Sequence, residues 1–105
     1  MSMDAYRWAK SWRGELSAPE LAVLLTIADR FNDSEGRAWP SYRTIADDTR
    51  LSRRTVIRSM AALSSVGLVE VSHRRDKAGD ATSNNYRLPL YRDDSAPVDN
   101  PKHPP

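Results

Sequence analysis

The stretch "SYRTIADDTRLSRRTVIRSMAALSSVG", residues 41–67, constrains this chain most, because it holds two helix beginnings with almost no room between them. Ser41 and Ser52 each precede a run suited to a helix, and serine is a preferred N-cap because its hydroxyl accepts from a free first-turn amide. The first helix is expected to run to about Thr49 with Ile45 and Ala46 inward. The second is expected to follow over about residues 53–66, with Val56, Met60 and Leu63 as its buried stripe and Gly67 just past its end. Arg50 and Leu51 alone are left to turn the chain.

The flanks supply what two short helices need in order to bury their apolar sides. In "LSAPELAVLLTIADRFN", Ser17 and Glu20 form a capping box with Pro19 in the first turn. Leu21, Leu24, Leu25, Ala28 and Phe31 then repeat at helical spacing, widened by Val23 and Ile27, which predicts a central helix. Upstream, Trp8 and Trp12 are four apart, so a short helix would carry both on one face before Gly14 breaks it. Trp39 is expected in a very short strand, since the residue before a proline avoids helical backbone. After Gly67 the period changes to two: "LVEVSHR" and "NYRLPL" read as strands of a hairpin whose connection, "RDKAGDATSN", has turn chemistry. The chain thus divides into an aromatic helical extension (1–16), a compact domain (17–91) and a proline-rich tail expected to be disordered (92–105). The fold class is mainly α with a small β-hairpin, an α+β arrangement of a three-helix core and a wing.

Composition narrows the function classes. No apolar run approaches the roughly 20 residues that cross a bilayer, and the N-terminus lacks the order of a signal peptide. Cysteine is absent, which removes disulfides and thiolate metal sites and fits a cytoplasmic protein of the bacterial cytosol or nucleoid. The two histidines are far apart, Asp47 and Asp48 are adjacent and so do not share a helix face, and no phosphate-binding glycine loop is present. Neither an enzyme nor a metal or other cofactor is expected. Net charge is only +2, but from Arg37 to Lys77 nine Lys/Arg face four acids, while the rest of the chain holds seven bases and ten acids. A basic middle between acidic flanks suits a polyanionic partner.

Two short helices joined by so tight a turn, the second hydroxyl-capped and rich in arginine, form a helix-turn-helix, whose second helix lies in the major groove of DNA. The segment "WPSYRTIADDTRLSRRTVIRSMAALSSVGLVEV" resembles the winged helix-turn-helix module of phage and plasmid replication initiators and related small regulators. The matching elements are "WPS", "TIAD", "LSRRTVIR", Leu63, "GLV" at 67–69 and a late "NNYRL", and with the upstream helix they span about residues 6–90. One position departs from the pattern. The turn residue often held by glycine is Arg50 here, and a left-handed backbone would cost an arginine roughly 1–2 kcal/mol, which leaves another turn geometry open.

The candidate recognition-helix contacts are Ser52, Arg53, Arg54, Thr55 and Arg58, with capping or packing as the other reading of Thr55. His73, Arg74, Arg75 and Lys77 are the candidate wing contacts over residues 73–78, and Arg37, Ser41, Tyr42 and Arg43 the candidate contacts to the DNA backbone. Ala46, Leu51 and Val56 would lock the two helices together, and packing is the expected role of Ile57, contact with a thymine methyl its other reading. The implied function is sequence-specific binding of double-stranded DNA, in replication initiation or transcriptional regulation of a mobile element. The alternative is a winged helix that docks a replication or transcription protein without reading DNA. A homodimer through the N-terminal helix and its aromatics is also expected.

Overall fold

A computed structural model describes the backbone of residues 2–12, 14–75 and 81–91, and the side chains of all of these except 73–75 and 81–83. Lys77 and the tail at 92–105 lie outside the described residues. The elements in order are α1 (Met3–Ser11), α2 (Ala18–Asp29), α3 (Tyr42–Thr49), α4 (Arg53–Ser65), β1 (Glu70–Arg75) and β2 (Ala81–Arg87). This is a mainly α winged helix-turn-helix with one small antiparallel hairpin.

Every helix starts where a serine permits it. Ser2 accepts from the Ala5 amide at 2.9 Å, and its own amide donates to the Asp29 carbonyl, tying the start of α1 to the end of α2. The Ser17–Glu20 capping box closes in both directions, at 3.3 Å and 3.0 Å. Each such cap contributes about 1 kcal/mol by satisfying an amide that has no partner within its helix.

α2 lies at the centre and packs against α1, α3 and α4. Its buried residues are Val23, Leu24, Ile27 and Ala28, so the expected stripe is rotated. Leu21 is 37% exposed and Leu25 only half-buried, because the three partner helices cover the arc centred on Val23 and Ile27. α1 is built on the same core, with Ala5 and Ala9 fully buried in it.

α1 also ends earlier than the glycine suggested. Trp12 is already extended, and Gly14 serves a different purpose: a Cβ there would stand 2.5 Å from the Trp12 ring nitrogen. Trp8 packs against Trp12 and against Tyr91 (ring centroids 6.3 Å and 5.6 Å apart), and Tyr91 meets Phe31 edge-on. The aromatic surface from which dimerisation was expected is therefore half-buried within a single chain.

α4 ends in a Schellman motif. Gly67, at φ 81°, donates to the Ser64 carbonyl and Leu68 to the Leu63 carbonyl, which drops Leu68 and Val69 into the core before β1 begins. β1 pairs with β2 from Glu70–Arg87 onward, with an irregularity at Arg74/Arg75. Both strands are displaced from their expected limits, β1 starting at Glu70 and β2 running from Ala81 to Arg87. The short strand expected at Trp39 is a single bridge one residue earlier, where Ala38 and Tyr86 exchange amide–carbonyl bonds of 2.9 Å and 2.8 Å.

Tyr86 anchors that junction. Its side chain is fully buried, and its hydroxyl accepts from Asn84 Nδ2 at 3.0 Å. Burial pushes the phenol up from 10.0 to about 12, only partly opposed by the Asn84 bond. The unfolded chain ionises this tyrosine first as pH rises, so the stability it confers is present below about pH 10 and lost towards pH 12. Stability should fall by about 2–3 kcal/mol across that window from this group alone. Thermal melts of the parent and Tyr86→Phe from about pH 8 to pH 11 check this, the variant showing the shallower loss at the alkaline end.

Candidate nucleic-acid interface

The two halves of the central motif begin with the same local device. Ser41 Oγ accepts from the Thr44 amide and donates to Thr44 Oγ1, both at 3.1 Å. Ser52 Oγ accepts from the Thr55 amide at 3.1 Å and donates to Thr55 Oγ1 at 2.9 Å. Ser41, Ser52 and Thr55 thus hold helix starts.

Between the helices, Arg50 takes φ 64° and ψ 20°. The turn keeps the left-handed geometry that glycine usually supplies, at a cost of roughly 1–2 kcal/mol for arginine. Thr49, which no sequence pattern marks, stitches the turn: its hydroxyl donates to the Ile45 carbonyl at 2.7 Å and accepts from the Leu51 amide at 3.3 Å. Leu51 and Ala46 pack partly buried against the core, Val56 is fully buried in it, and α3 lies against α4.

With Val56, Ser59, Met60 and Leu63 inward, α4 turns Arg53, Arg54, Ile57, Arg58 and Ala61 to solvent. Ile57, expected to pack, is 40% exposed among the arginines. The Val56–Met60–Leu63 stripe already carried that signal, since one residue on from Val56 lies about 100° around the helix.

The described arginines of the helices and the loop before α3 fall into two groups, and Arg87 on β2 is also exposed without an ion pair among the described residues. Arg7 pairs with Asp4, Arg30 with Asp48 and Arg37 with Glu35. Arg43, Arg50, Arg53, Arg54 and Arg58 form no ion pair and no side-chain hydrogen bond among the described residues, and all five are exposed. No acid lies between Asp48 and Glu70, the interval that holds Arg50, Arg53, Arg54 and Arg58.

Arg37 is not such a group. Its guanidinium donates to Glu35 at 2.9 Å and to Asn85 Oδ1 at 2.5 Å, and it lies over the Trp39 ring at 4.6 Å. Expected as a phosphate contact, it already braces the loop before α3 against the hairpin within the protein. Tyr42 is half-buried against the core beside Tyr86, whereas Arg43 is exposed one residue further along α3. His73, Arg74 and Arg75 occupy β1, directly before the hairpin connection. Among the described residues no cluster of His, Asp or Glu is arranged to hold a metal, and no helix is long and apolar enough to cross a membrane.

Residues 14–69, more than half of the chain, match a family model described as a helix-turn-helix domain. The chain belongs to the helix-turn-helix family. This is a DNA-binding type of domain, and the match runs from Gly14 through the turn at Arg50 to the end of the Schellman motif. Among solved structures, similarity extends to one described as a "possible transcriptional regulator from Methanosarcina mazei Go1", at 18% identity and a TM-score of 0.55. It covers 88% of this chain and 67% of that one, a likeness of fold. Comparison with curated protein sequences gives no match.

In a helix-turn-helix domain the start of the second helix has to be fixed before its side chains can be aimed. Ser52→Ala should therefore lower stability by about 1 kcal/mol, within a range of 0.5–2, through loss of the cap alone. Ser52→Asp should restore it. Denaturant unfolding of the parent and both variants measures this, and equal midpoints for the parent and Ser52→Ala would show that the cap is energetically idle.

Proposed function

We propose that this chain binds double-stranded DNA in a sequence-specific manner, with α4 in the major groove and the hairpin against the adjoining backbone. The observation that carries the reading is the division of the arginines. Arg7, Arg30 and Arg37 are matched to acids, while Arg53, Arg54 and Arg58 on α4, with Arg43 and Arg50, form no ion pair among the described residues. Exposed guanidiniums in a stretch without acids favour an external anion, and their planar forks suit phosphate oxygens or the O6 and N7 edge of guanine.

The division of roles follows from position. Arg53, Arg54 and Arg58 lie on the exposed side of α4, so base-edge contact falls to them, with exposed Ile57 suited to a thymine methyl. Ser41, Ser52, Thr55 and Tyr42 shape the first turns, and Arg43 meets phosphate. His73, Arg74, Arg75 and Lys77 give the hairpin a basic character suited to the minor groove or its phosphates. The resemblance to phage and plasmid replication initiators supports a role in a mobile element, in replication initiation or in transcriptional regulation. The description of the structural neighbour supports the regulatory branch.

Binding to a duplex should weaken steeply with salt, by about a hundredfold or more between roughly 50 and 200 mM for four or more phosphate contacts. Weak binding that is flat with salt would favour a protein-docking winged helix and overturn the proposal. Selection of bound sequences from a random duplex pool then defines the site. On that site and a scrambled one, Arg58→Ala should cost about 1–3 kcal/mol on the selected sequence and relax preference. Arg74→Ala should weaken both duplexes alike and make the salt dependence shallower. Parent-like binding by both variants would refute the assignment of the face.

A further inference from the structure

Arg50 is the one described residue other than glycine with positive φ, at 64°. Glycine takes this conformation without steric cost and asparagine tolerates it, but arginine gains nothing there from its backbone. Nor does the turn use its side chain. Thr49 supplies the hydroxyl that closes the turn, Leu51 supplies the apolar contact, and Ser52 caps the next helix. Arg50 itself is exposed, with no hydrogen bond or ion pair among the described residues. Of the two acids just before it, Asp48 is taken by Arg30 and Asp47 forms no ion pair with it, and from Thr49 to Val69 the chain holds four arginines and no acid. Backbone strain of this kind concentrates at functional sites, and here it is carried by a residue whose charged head group is left in solvent.

We propose that the Arg50 guanidinium is a phosphate-binding group, contacting the DNA backbone from the turn itself beside the start of α4. This rests on the DNA-binding reading above. Arg50 stands two residues before the Ser52 cap, so it borders the end of α4 that enters the groove, where a backbone strand passes. Phosphate accepts two parallel N–H bonds from guanidinium, a geometry that needs no base and reads no sequence. A purely structural account of Arg50 is its favourable charge at the C-terminus of α3. That account predicts loss of stability, with no change in DNA binding, when the charge is removed.

The two accounts separate when stability and binding are measured on the same variants. Arg50→Gly relieves the strain, so it should melt a few degrees above the parent. Its affinity for a mixed-sequence duplex of about 25 base pairs should nevertheless fall about three- to tenfold near 100 mM salt. The slope of log affinity against log salt should become shallower by about one contact. Arg50→Lys keeps a charge but not the fork, so its slope should match the parent's while its affinity drops by a smaller factor. Arg50→Asn tolerates the left-handed backbone without charge and should bind as Arg50→Gly does. If the parent has a steep slope and Arg50→Gly the same slope and affinity, the role of Arg50 is refuted and the DNA reading stands. If Arg50→Gly melts below the parent with binding unchanged, the helix-end account replaces it. A parent that shows no salt-dependent duplex binding would overturn both.

Discussion

Val23, Leu24, Ile27 and Ala28 form the apolar arc of α2 that three other helices share. Each of the larger three contributes about 1.5–3 kcal/mol on full burial, a large part of the 5–15 kcal/mol that a domain of this size retains. α3 and α4 are too short to be stable alone, since isolated helices below about 12–15 residues are marginal in water. Their crossing exists because both lie on α2 and on each other. α1 enters the same arrangement from the far end, through buried Ala5 and Ala9 and the bond from the Ser2 amide to the Asp29 carbonyl. The orientation of every side chain proposed to meet DNA is inherited from this one arc.

That inheritance explains the polarity of α4. Once Val56, Met60 and Leu63 are committed to α2 and α3, the remaining sides of a thirteen-residue helix have no interior to enter. Arginine is tolerated there as it would be on any surface helix. What distinguishes this surface is the missing acids. Arg7, Arg30 and Arg37 by contrast are matched to carboxylates, as in the 2.8 Å pair Arg30–Asp48 that links the ends of α2 and α3. Such exposed pairs contribute at most about 1 kcal/mol. Their absence from α4 therefore costs the fold little, and it leaves the positive field of that face uncancelled.

What was legible in the sequence was what is local. The starts at Ser17, Ser41 and Ser52 could be read because a cap is completed within four residues, and Gly67 could be read as a helix end for the same reason. The unread features depend on partners far along the chain. Arg37 looked like a free cation because Asn85, which holds it, lies 48 residues away. Periodicity identified α2 but not which arc its neighbours would cover, so Leu21 was misplaced while Val23 and Ile27 were undervalued. The strand limits moved because pairing across the hairpin sets them, and the bridge fell on Ala38 because Tyr86 chose it. At Arg50 the sequence posed the question correctly. The answer, left-handed backbone despite the side chain, comes from the packing of Leu51 and the Thr49 hydroxyl on either side.

The same long-range contacts bear on how a wing and a helix can act together. Two backbone bonds join Ala38 to Tyr86, and Arg37 reaches from the same loop to Asn85. Three residues after Ala38 the chain reaches Ser41, the cap of α3. The base of the hairpin is thus fixed to the segment that launches the helix-turn-helix, with the buried Tyr86 as the pin. A ligand that touches β1 and the first turn of α3 meets groups whose spacing is set before it arrives. Less ordering is then required on binding, and more of each contact appears as affinity. Arg37 thereby serves the proposed interface without itself touching DNA, by tying the loop before α3 to the hairpin.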